Sequence, residues 1–323
     1  MSRVLNNGPN VRPETRSRVE MAIEALGYTV NLQARALASG AGRQIMLIHV
    51  HDPELEPNSY YHAGLELGAL RACSALGLDL VTRSVKPSAH QAARLLLSIV
   101  ERENPAGIVL SPPLSDDLEL LAEARRLGVR IVAISSGEEA RALVPSVGID
   151  ERAAGRAIGE HLVSLGHRRL GFVKGPSEHR AAALRYVGFL DALRDAGVAE
   201  EPWAGTGDFT FKSGVEAAAR LLDERPDVTA LGCANDDMAA GAILALHRAR
   251  VEIPDQISVV GFDDTPMSEI IWPPLTTVRQ PIKQLAERAV HLLLQTERQN
   301  GERPAYEVIP HELVVRESTA RAK

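Results

Sequence analysis

Short runs of apolar, often β-branched residues alternate with stretches of helical periodicity from residue 44 onwards. This alternation is typical of a parallel β-sheet whose two faces are covered by helices. The first half of the chain predicts four strands, QIMLIHV, LDLVTRSV, GIVLSPP and VRIVAIS, separated by helices over 63–76, 89–103 and 116–127. These elements are enough for one α/β lobe.

After the segment SVGID the alternation starts again, which predicts a second α/β lobe. Its predicted strands are RRLGFVKG, ALGCAND and ISVVGFD, and its predicted helices cover 151–165, 178–195, 211–223 and 238–248. The chain then continues with the segment LTTVRQP, a helix over 283–297 and one last strand, EVIPHELVV. We expect this helix to pack on the first lobe and the last strand to join the second, so that several chain crossings form a hinge.

The first forty residues follow a different pattern. A proline at position 13, apolar residues at helical spacing and Gly27 as a stop signal predict a helix over 13–26. A second short helix is predicted over 31–38, with Asn31 as its N-cap. We therefore expect a small helical segment at 1–28, a hinge at 29–42, a first lobe at 43–149 plus about 280–304, and a second lobe at 150–279 plus about 305–318.

Composition and charge narrow the class of protein. With 323 residues and 45% hydrophobic content, the chain can bury substantial cores. The net charge of -6 argues against a surface that binds nucleic acid throughout, but residues 1–44 carry six Arg and three Glu, a balance of +3 that leaves -9 for the rest. A short basic segment therefore precedes an acidic body.

Two cysteines far apart, without metal-ligand or redox spacing, predict reduced packing residues, and the sequence predicts no metal and no cofactor. No apolar run reaches the roughly 18 residues that a membrane span needs. The N-terminus also lacks the hydrophobic stretch of a signal peptide. We therefore expect a cytoplasmic protein that is not bound to a membrane.

Seven segments, taken together and in order, resemble the LacI/GalR family of bacterial transcriptional regulators, and the resemblance runs essentially from end to end. The segments are SRVLNNGPNVRPETRSRVEMAIEALGY, NLQARALASG, SVGIDERAAGRAIGEHLVSLGHRRLGFVKGP, RYVGFLDALRDAGV, CANDDMAAGAILAL, ISVVGFDD and PPLTTVRQP. The resemblance implies two doubly wound, periplasmic-binding-protein-like lobes, preceded by an all-α helix-turn-helix headpiece and a hinge helix. It also implies a homodimer that binds operator DNA and a small-molecule effector, a sugar or glycoside.

The sequence departs from the family at its start. Family members have a helix and a turn before the recognition helix, whereas residues 1–6 resemble the inside of that helix. This indicates a truncated headpiece with impaired DNA binding. Alternatively, Met1, which stands where the family commonly has Val, is an incorrectly placed start.

The resemblance implies DNA contacts in both parts of the N-terminal segment. The residues are Ser2, Arg3 and Asn6 in the recognition helix, and Asn31, Ala34, Arg35 and Leu37 in the hinge helix. Leu37 matches the leucine that the family inserts into the minor groove, where an apolar wedge unstacks a base step and bends the DNA. Packing of Leu37 against its own short helix is the alternative.

Effector residues are expected between the lobes, where the carboxyl ends of parallel strands converge. Asp263 follows the strand ISVVGF and matches the family's ligand-binding Asp; a helix cap is the alternative. Arg185 matches the ligand-binding Arg, whose guanidinium suits ring and hydroxyl oxygens, or it is an exposed helix residue. Phe209 matches an aromatic that faces the ligand, or it is a core residue.

Six further candidates follow from strand ends or from family positions. These are Tyr60 and Tyr61 at the start of the first body helix, Ser111 and Asp150 at strand ends of the first lobe, His179 in a loop that varies with the effector, and Asn235 at the end of the strand ALGCAND. Asp236 and Asp237 are expected to cap the following helix instead.

The leading hypothesis is a ligand-controlled repressor. A solute-binding protein of a sugar transport system would share the two lobes, but the hinge-helix sequence argues against it. An enzyme is not expected, because no nucleophile elbow, metal cluster or phosphate loop accompanies the acidic residues. A sugar sensor that cannot read an operator is the outcome if the truncation is genuine.

Overall fold

The computed structural model describes residues 44–50, 59–85, 98, 99, 102–295 and 304–323, together with positions 15, 18 and 21. The chain divides into two compact units, Met1–Arg43 and Gln44–Lys323. In the first unit, the three described positions lie within the helix predicted for 13–26 and are helical and exposed. The predicted DNA-contact residues lie outside the described residues: Ser2, Arg3, Asn6, Asn31, Ala34, Arg35 and Leu37.

Within the described residues, the first lobe is built on a six-stranded sheet in which all neighbouring strands are parallel. The strands are β1 (Gln44–Val50), β2 (Asp79–Val85), β3 (Gly107–Leu110), β4 (Ile131–Ile134), β5 (Ser146–Gly148) and, from the end of the chain, β11 (Tyr306–Val308). Their spatial order is β11-β5-β4-β3-β1-β2. Every residue of β3, β4 and β5 is buried, as expected for continuous apolar strands covered on both faces.

Helices from both ends of the lobe's sequence cover this sheet. They are α1 (Ser59–Ala75), α2 (Leu118–Arg126), α3 (Glu138–Arg141) and α9 (Ile282–Gln295), and positions 98, 99, 102 and 103 of the helix predicted over 89–103 are also helical. The late helix α9 packs on α1 and on strands β3, β4 and β5. Helices α1 and α9 approach closely at Gly68, where a Cβ would lie only 2.0 Å from the carbonyl oxygen of Lys283. Only glycine, which has no Cβ, allows this approach.

The second lobe repeats the arrangement around a sheet that also has six strands in the described part of the chain. Its strands are β6 (Leu170–Lys174), β7 (Trp203–Thr206), β8 (Ala230–Cys233), β9 (Ser258–Asp263), β10 (Thr276–Arg279) and β12 (Glu312–Val314), in the spatial order β12-β10-β9-β8-β6-β7. Its helices are α4 (Glu151–Ser164), α5 (Arg180–Asp195), α6 (Phe211–Glu224), α7 (Asp236–Arg248) and α8 (Met267–Ile270). The prediction of two parallel-sheet lobes is confirmed, with β12 as an antiparallel edge strand.

The end of the chain corrects one prediction. The sequence predicts EVIPHELVV as a single strand of the second lobe, whereas the structure divides it into β11 in the first sheet and β12 in the second. Pro310 lies between the two strands and has no amide hydrogen to donate to a ladder, so the strand is interrupted there. The chain consequently passes between the sheets at 148–151, 279–282 and 308–312.

Three general features of the described residues bear on function. Cys73 and Cys233 are buried free thiols, and burial raises the pKa of Cys73 to about 11. No group of three or more His, Cys, Asp or Glu side chains among the described residues could hold a metal ion. None of the described helices is both long enough and apolar enough to cross a bilayer.

Helices α4 and α5 of the second lobe pack backbone against backbone. A Cβ at Gly155 would lie 1.9 Å from the carbonyl oxygen of Arg185, and one at Gly188 would lie 1.8 Å from the carbonyl oxygen of Arg152. Glycine is therefore required at both crossing points, since any side chain would separate the helices. This close packing brings the middle of α5 against the first turn of α4.

We predict that Gly155→Ala destabilises the chain. Alanine would favour the helix by about 1 kcal/mol, but its Cβ overlaps a backbone oxygen that cannot move independently, and overpacking of this kind costs about 1–3 kcal/mol or more. The free energy of unfolding, measured by denaturant titration, is expected to fall by ~2 kcal/mol. Ala157→Gly in the same helix is the control, because it measures the effect of helix propensity alone. A Gly155→Ala variant as stable as the parent would contradict the packing argument.

Candidate functional site

A buried arginine of α5 lies at the centre of the site. Arg185 is only 4% exposed, and its Nε donates to Glu151 Oε2 at 2.8 Å. Its Nη1 donates to the carbonyl oxygen of Ala234 at 2.8 Å, and its guanidinium carbon lies 3.7 Å from the centre of the Phe262 ring. The guanidinium is thus held by an ion pair, a backbone acceptor and an aromatic face.

Asp263, the last residue of β9, lies in the same buried region. It is 4% exposed, and its Oδ1 accepts a hydrogen bond from Gln280 Nε2. Burial raises the pKa of Asp263 to about 7, although the charge of Arg185 and the hydrogen bond from Gln280 favour the ionised form. Asp237 and Glu151 add to the rise. The carboxyl group therefore changes its charge near neutral pH.

Two tyrosines of the first lobe face these charges of the second lobe. Tyr61 is in α1; burial and then the charge of Glu151 raise its pKa, while Arg185 opposes the rise. The pKa of Tyr60 is also raised, first by burial and then by Asp264 and Asp263. The two lobes therefore meet around one set of interacting groups.

An ion pair also joins the lobes directly. Arg180, at the start of α5, pairs with Glu139 of α3. A Cβ at Gly137 would lie 2.3 Å from Arg180 Nε, so the arginine side chain lies directly over the backbone of the first lobe. This contact places the N-terminus of α5 beside the first lobe.

Three further predicted residues form a connected wall in the second lobe. Asn235 caps α7 through its Oδ1, which accepts from the Met238 amide at 3.0 Å, and its Nδ2 donates to the carbonyl oxygen of Phe209 at 2.9 Å. The Phe209 ring stands edge-on to His179, with centroids 4.9 Å apart. Burial, followed by the charge of Arg185, lowers the pKa of His179 to about 3, so that this ring is neutral at physiological pH. His179 also caps α5, its Nδ1 accepting from the Ala182 amide.

Two predicted residues make contacts of a different kind. Ser111 is fully buried, and its hydroxyl donates to the carbonyl oxygen of Ile48 at 3.4 Å within the first sheet. Asp150 is exposed and caps α4, with its Oδ1 accepting from the Ala153 amide at 2.9 Å. In the described part of the chain, no hydrogen bond joins either side chain to Arg185 or Asp263.

The structure adds Glu151 and Gln280, which were not predicted from the sequence. Both side chains are buried, and within the described residues Glu151 Oε1 and Gln280 Oε1 have no hydrogen-bond partner. Buried oxygens without a protein partner are rare, and they are available to accept a hydrogen bond from a bound molecule or water. A polar residue at the carboxyl end of a strand is a signal that could have identified Gln280. Glu151 carries no such local signal, because only the packing of α4 on α5 brings it to Arg185.

Two sheets with a polar site between them define the class of two-lobed binding proteins. The family model described as periplasmic binding protein-like domain matches residues 159–319, and that described as bacterial regulatory proteins, lacI family, matches residues 1–31. The regulator MalR of Streptomyces coelicolor is 33% identical over 338 aligned residues, which cover 100% of this chain and 93% of MalR. The chain belongs to the LacI family of transcriptional regulators.

Solved structures agree with this assignment. A complex of the transcriptional regulator CelR with cellobiose is 30% identical, with a TM-score of 0.76, and the alignment covers 98% of this chain and 94% of CelR. The lac repressor dimer bound to operator and the anti-inducer ONPF is 27% identical, with a TM-score of 0.78 and coverage of 99% and 94%. These relatives are regulators rather than enzymes.

The raised pKa of Asp263 predicts how stability depends on pH. Because folding raises this pKa from its ordinary value of 3.8 to about 7, the folded chain binds more protons between these values, and stability is lost as the pH rises through 7. Asp263→Asn removes this titration. The measured quantity is the melting temperature of the variant minus that of the parent. This difference is therefore expected to be larger at pH 8 than at pH 5.

Asp191→Asn is the control for this measurement. Hydrogen bonds from Arg152, and further from Arg194, hold the pKa of Asp191 below its ordinary value despite burial, so its carboxylate is ionised at both pH values. Its effect on the melting temperature is expected to be the same at pH 5 and pH 8. A pH-independent effect of Asp263→Asn as well would contradict the assigned pKa.

Proposed function

We propose that this LacI-family chain is a transcriptional repressor whose effector is a small carbohydrate or glycoside bound between the two lobes. The observation that carries the proposal is the group formed by Arg185, Glu151, Asp263 and Gln280, buried beside the carboxyl ends of β9 and β10. Two of its oxygens have no partner among the described residues. The function follows from the site and the family together, because the fold alone is compatible with many functions.

The chemistry of this group favours a ligand rich in hydroxyl donors. The guanidinium of Arg185 is already paired with Glu151, whereas Glu151 Oε1, Gln280 Oε1 and the Asp263 carboxylate offer acceptors. A polyol satisfies several such acceptors at once, and the Phe209 ring suits the apolar CH face of a sugar. The CelR relative was solved with cellobiose, which is consistent with this ligand class.

The predicted site residues contribute in different ways to this proposal. Arg185 and Asp263 are the proposed polar anchors, with Tyr60, Tyr61, His179, Phe209 and Asn235 around them. Ser111 and Asp150 stay candidates whose own contacts are structural, and Glu151 and Gln280 are added. The effector therefore binds residues from both lobes, as a ligand that controls lobe closure must.

The proposed output of the protein is binding of operator DNA by a homodimer. The lacI-family match at residues 1–31 covers the predicted recognition helix, and the lac repressor relative was solved as a dimer on its operator. The DNA contacts proposed for Ser2, Arg3, Asn6, Asn31, Ala34, Arg35 and Leu37 follow from the family resemblance. Because its target is chromosomal DNA, we propose that the protein acts in the cytoplasm.

The proposed effector class is tested by titrating cellobiose, maltose, other neutral saccharides and glycosides against the full chain, with purine nucleosides for comparison. A ligand at a hundredfold excess over its Kd stabilises the folded state by about 2.7 kcal/mol, which thermal unfolding detects readily. Asp263→Ala is expected to weaken saccharide binding, measured by calorimetry, about a hundredfold, because hydrogen bonds to a charged acceptor contribute about 1.5–3 kcal/mol each.

Asp191→Ala serves as the matched control in this titration. Asp191 lies on α5, the same helix as Arg185, but it has no part in the proposed site. Its carboxylate is 8% exposed and pairs with Arg152 of α4 and Arg194 of α5. Affinity within about twofold of the parent is expected for this variant. A response to purine nucleosides alone, or saccharide binding that survives Asp263→Ala, would contradict the proposed site.

A further inference from the structure

The turn that follows β9 has an unusual backbone conformation. Asp263 and Asp264 adopt φ values of +112° and +54° in succession, a region that residues with a Cβ rarely enter. Such conformations persist only where the surrounding contacts impose them, and they concentrate at functional sites. The orientation of the Asp263 carboxyl group therefore depends on whatever holds this turn.

The side chain of Asp264 is held by three donors. It accepts from Arg279 Nε at 2.6 Å, from Arg316 Nη2 at 2.7 Å and from Ser268 Oγ at 3.0 Å, and it is only 7% exposed. Burial alone would raise the pKa of Asp264, but these hydrogen bonds outweigh burial and lower it. The carboxylate thus stays charged and bound to both arginines.

The next residue of the turn is held from the other side. The Thr265 amide donates to Asp236 Oδ2 at 2.7 Å, and Asp236 is fully buried. The turn is therefore restrained at two successive residues, one by its side chain and one by its backbone.

The last residue of β10 and the residue that follows it bind neighbouring residues of this turn. Arg279 donates to Asp264, and Gln280, the next residue, donates to Asp263. Arg279 is also paired in register with Asp263 across the two parallel strands. One strand end thus orients the proposed ligand-binding carboxyl group directly and holds the residue that follows it.

We infer that Asp264 is a positioning residue that fixes the left-handed turn and thereby aims the Asp263 carboxylate into the cleft, without contacting the effector itself. This inference rests on the proposed function of Asp263. The alternative is that Asp264 merely stabilises the second lobe through its ion pairs, as Asp191 does with its own two arginines.

The test compares Asp264→Ala, Asp264→Asn and Asp191→Ala in the full chain. Alanine removes the acceptor and disfavours a positive φ, whereas asparagine retains an acceptor and tolerates the left-handed region. The first readout needs no ligand: hydrogen exchange of the Thr265 amide, followed by NMR, is expected to accelerate at least about tenfold in Asp264→Ala only. The second readout is the affinity for cellobiose, expected to fall about tenfold in Asp264→Ala and to stay within about threefold of the parent in Asp264→Asn.

Any one of three outcomes would overturn the inference about Asp264. Unchanged Thr265 exchange in Asp264→Ala would overturn the inference whether or not cellobiose binds. Accelerated exchange together with unchanged cellobiose affinity would also overturn it, and so would equal losses of affinity in Asp264→Ala and Asp191→Ala. Asp263→Ala separates this inference from the proposed function, because cellobiose binding that survives Asp263→Ala would contradict the proposed site, independently of Asp264.

Discussion

A guanidinium buried between two helices requires a balancing charge within hydrogen-bonding distance, and the cleft of this protein depends on that constraint. Arg185 obtains the balance from Glu151, and it also contacts the carbonyl of Ala234 and the ring of Phe262. Removing one partner of such a pair leaves an uncompensated buried charge, at a cost of about 3–5 kcal/mol. The close packing of α4 on α5 brings Glu151 and Arg185 together, so this packing and the ion pair depend on each other.

The position of these residues explains how a ligand could control the whole molecule. Glu151 ends the chain crossing at 148–151, and Gln280 lies within the crossing at 279–282. A ligand bound to both residues, and to tyrosines of the first lobe, would contact two of the chain crossings between the lobes. Differential binding to the open and closed arrangements then shifts the equilibrium between them. Two residues of the proposed effector site therefore lie at chain crossings between the lobes.

Much of the fold could be predicted because most of the longer parallel strands are apolar runs between helices, whereas the short parallel strands β5, β7 and β11 carry too few apolar residues for recognition. In the site, Asp263 and Arg185 were predicted from strand ends and from the family resemblance. Glu151 was missed in favour of its neighbour Asp150, because only the packing of α4 on α5 distinguishes a buried partner from a helix cap. Gln280 was missed because its role depends on Asp263, which is distant in sequence.

The central claim is that effector and operator favour different arrangements of the lobes, and linkage gives it a direct test. The affinity of the bound saccharide is measured by calorimetry at fixed salt, with and without an operator selected from random-sequence DNA. If the effector releases DNA, the operator must weaken saccharide binding by the same factor, typically about 5- to 150-fold. Equal saccharide affinity with operator, with unrelated DNA and without DNA would contradict the account.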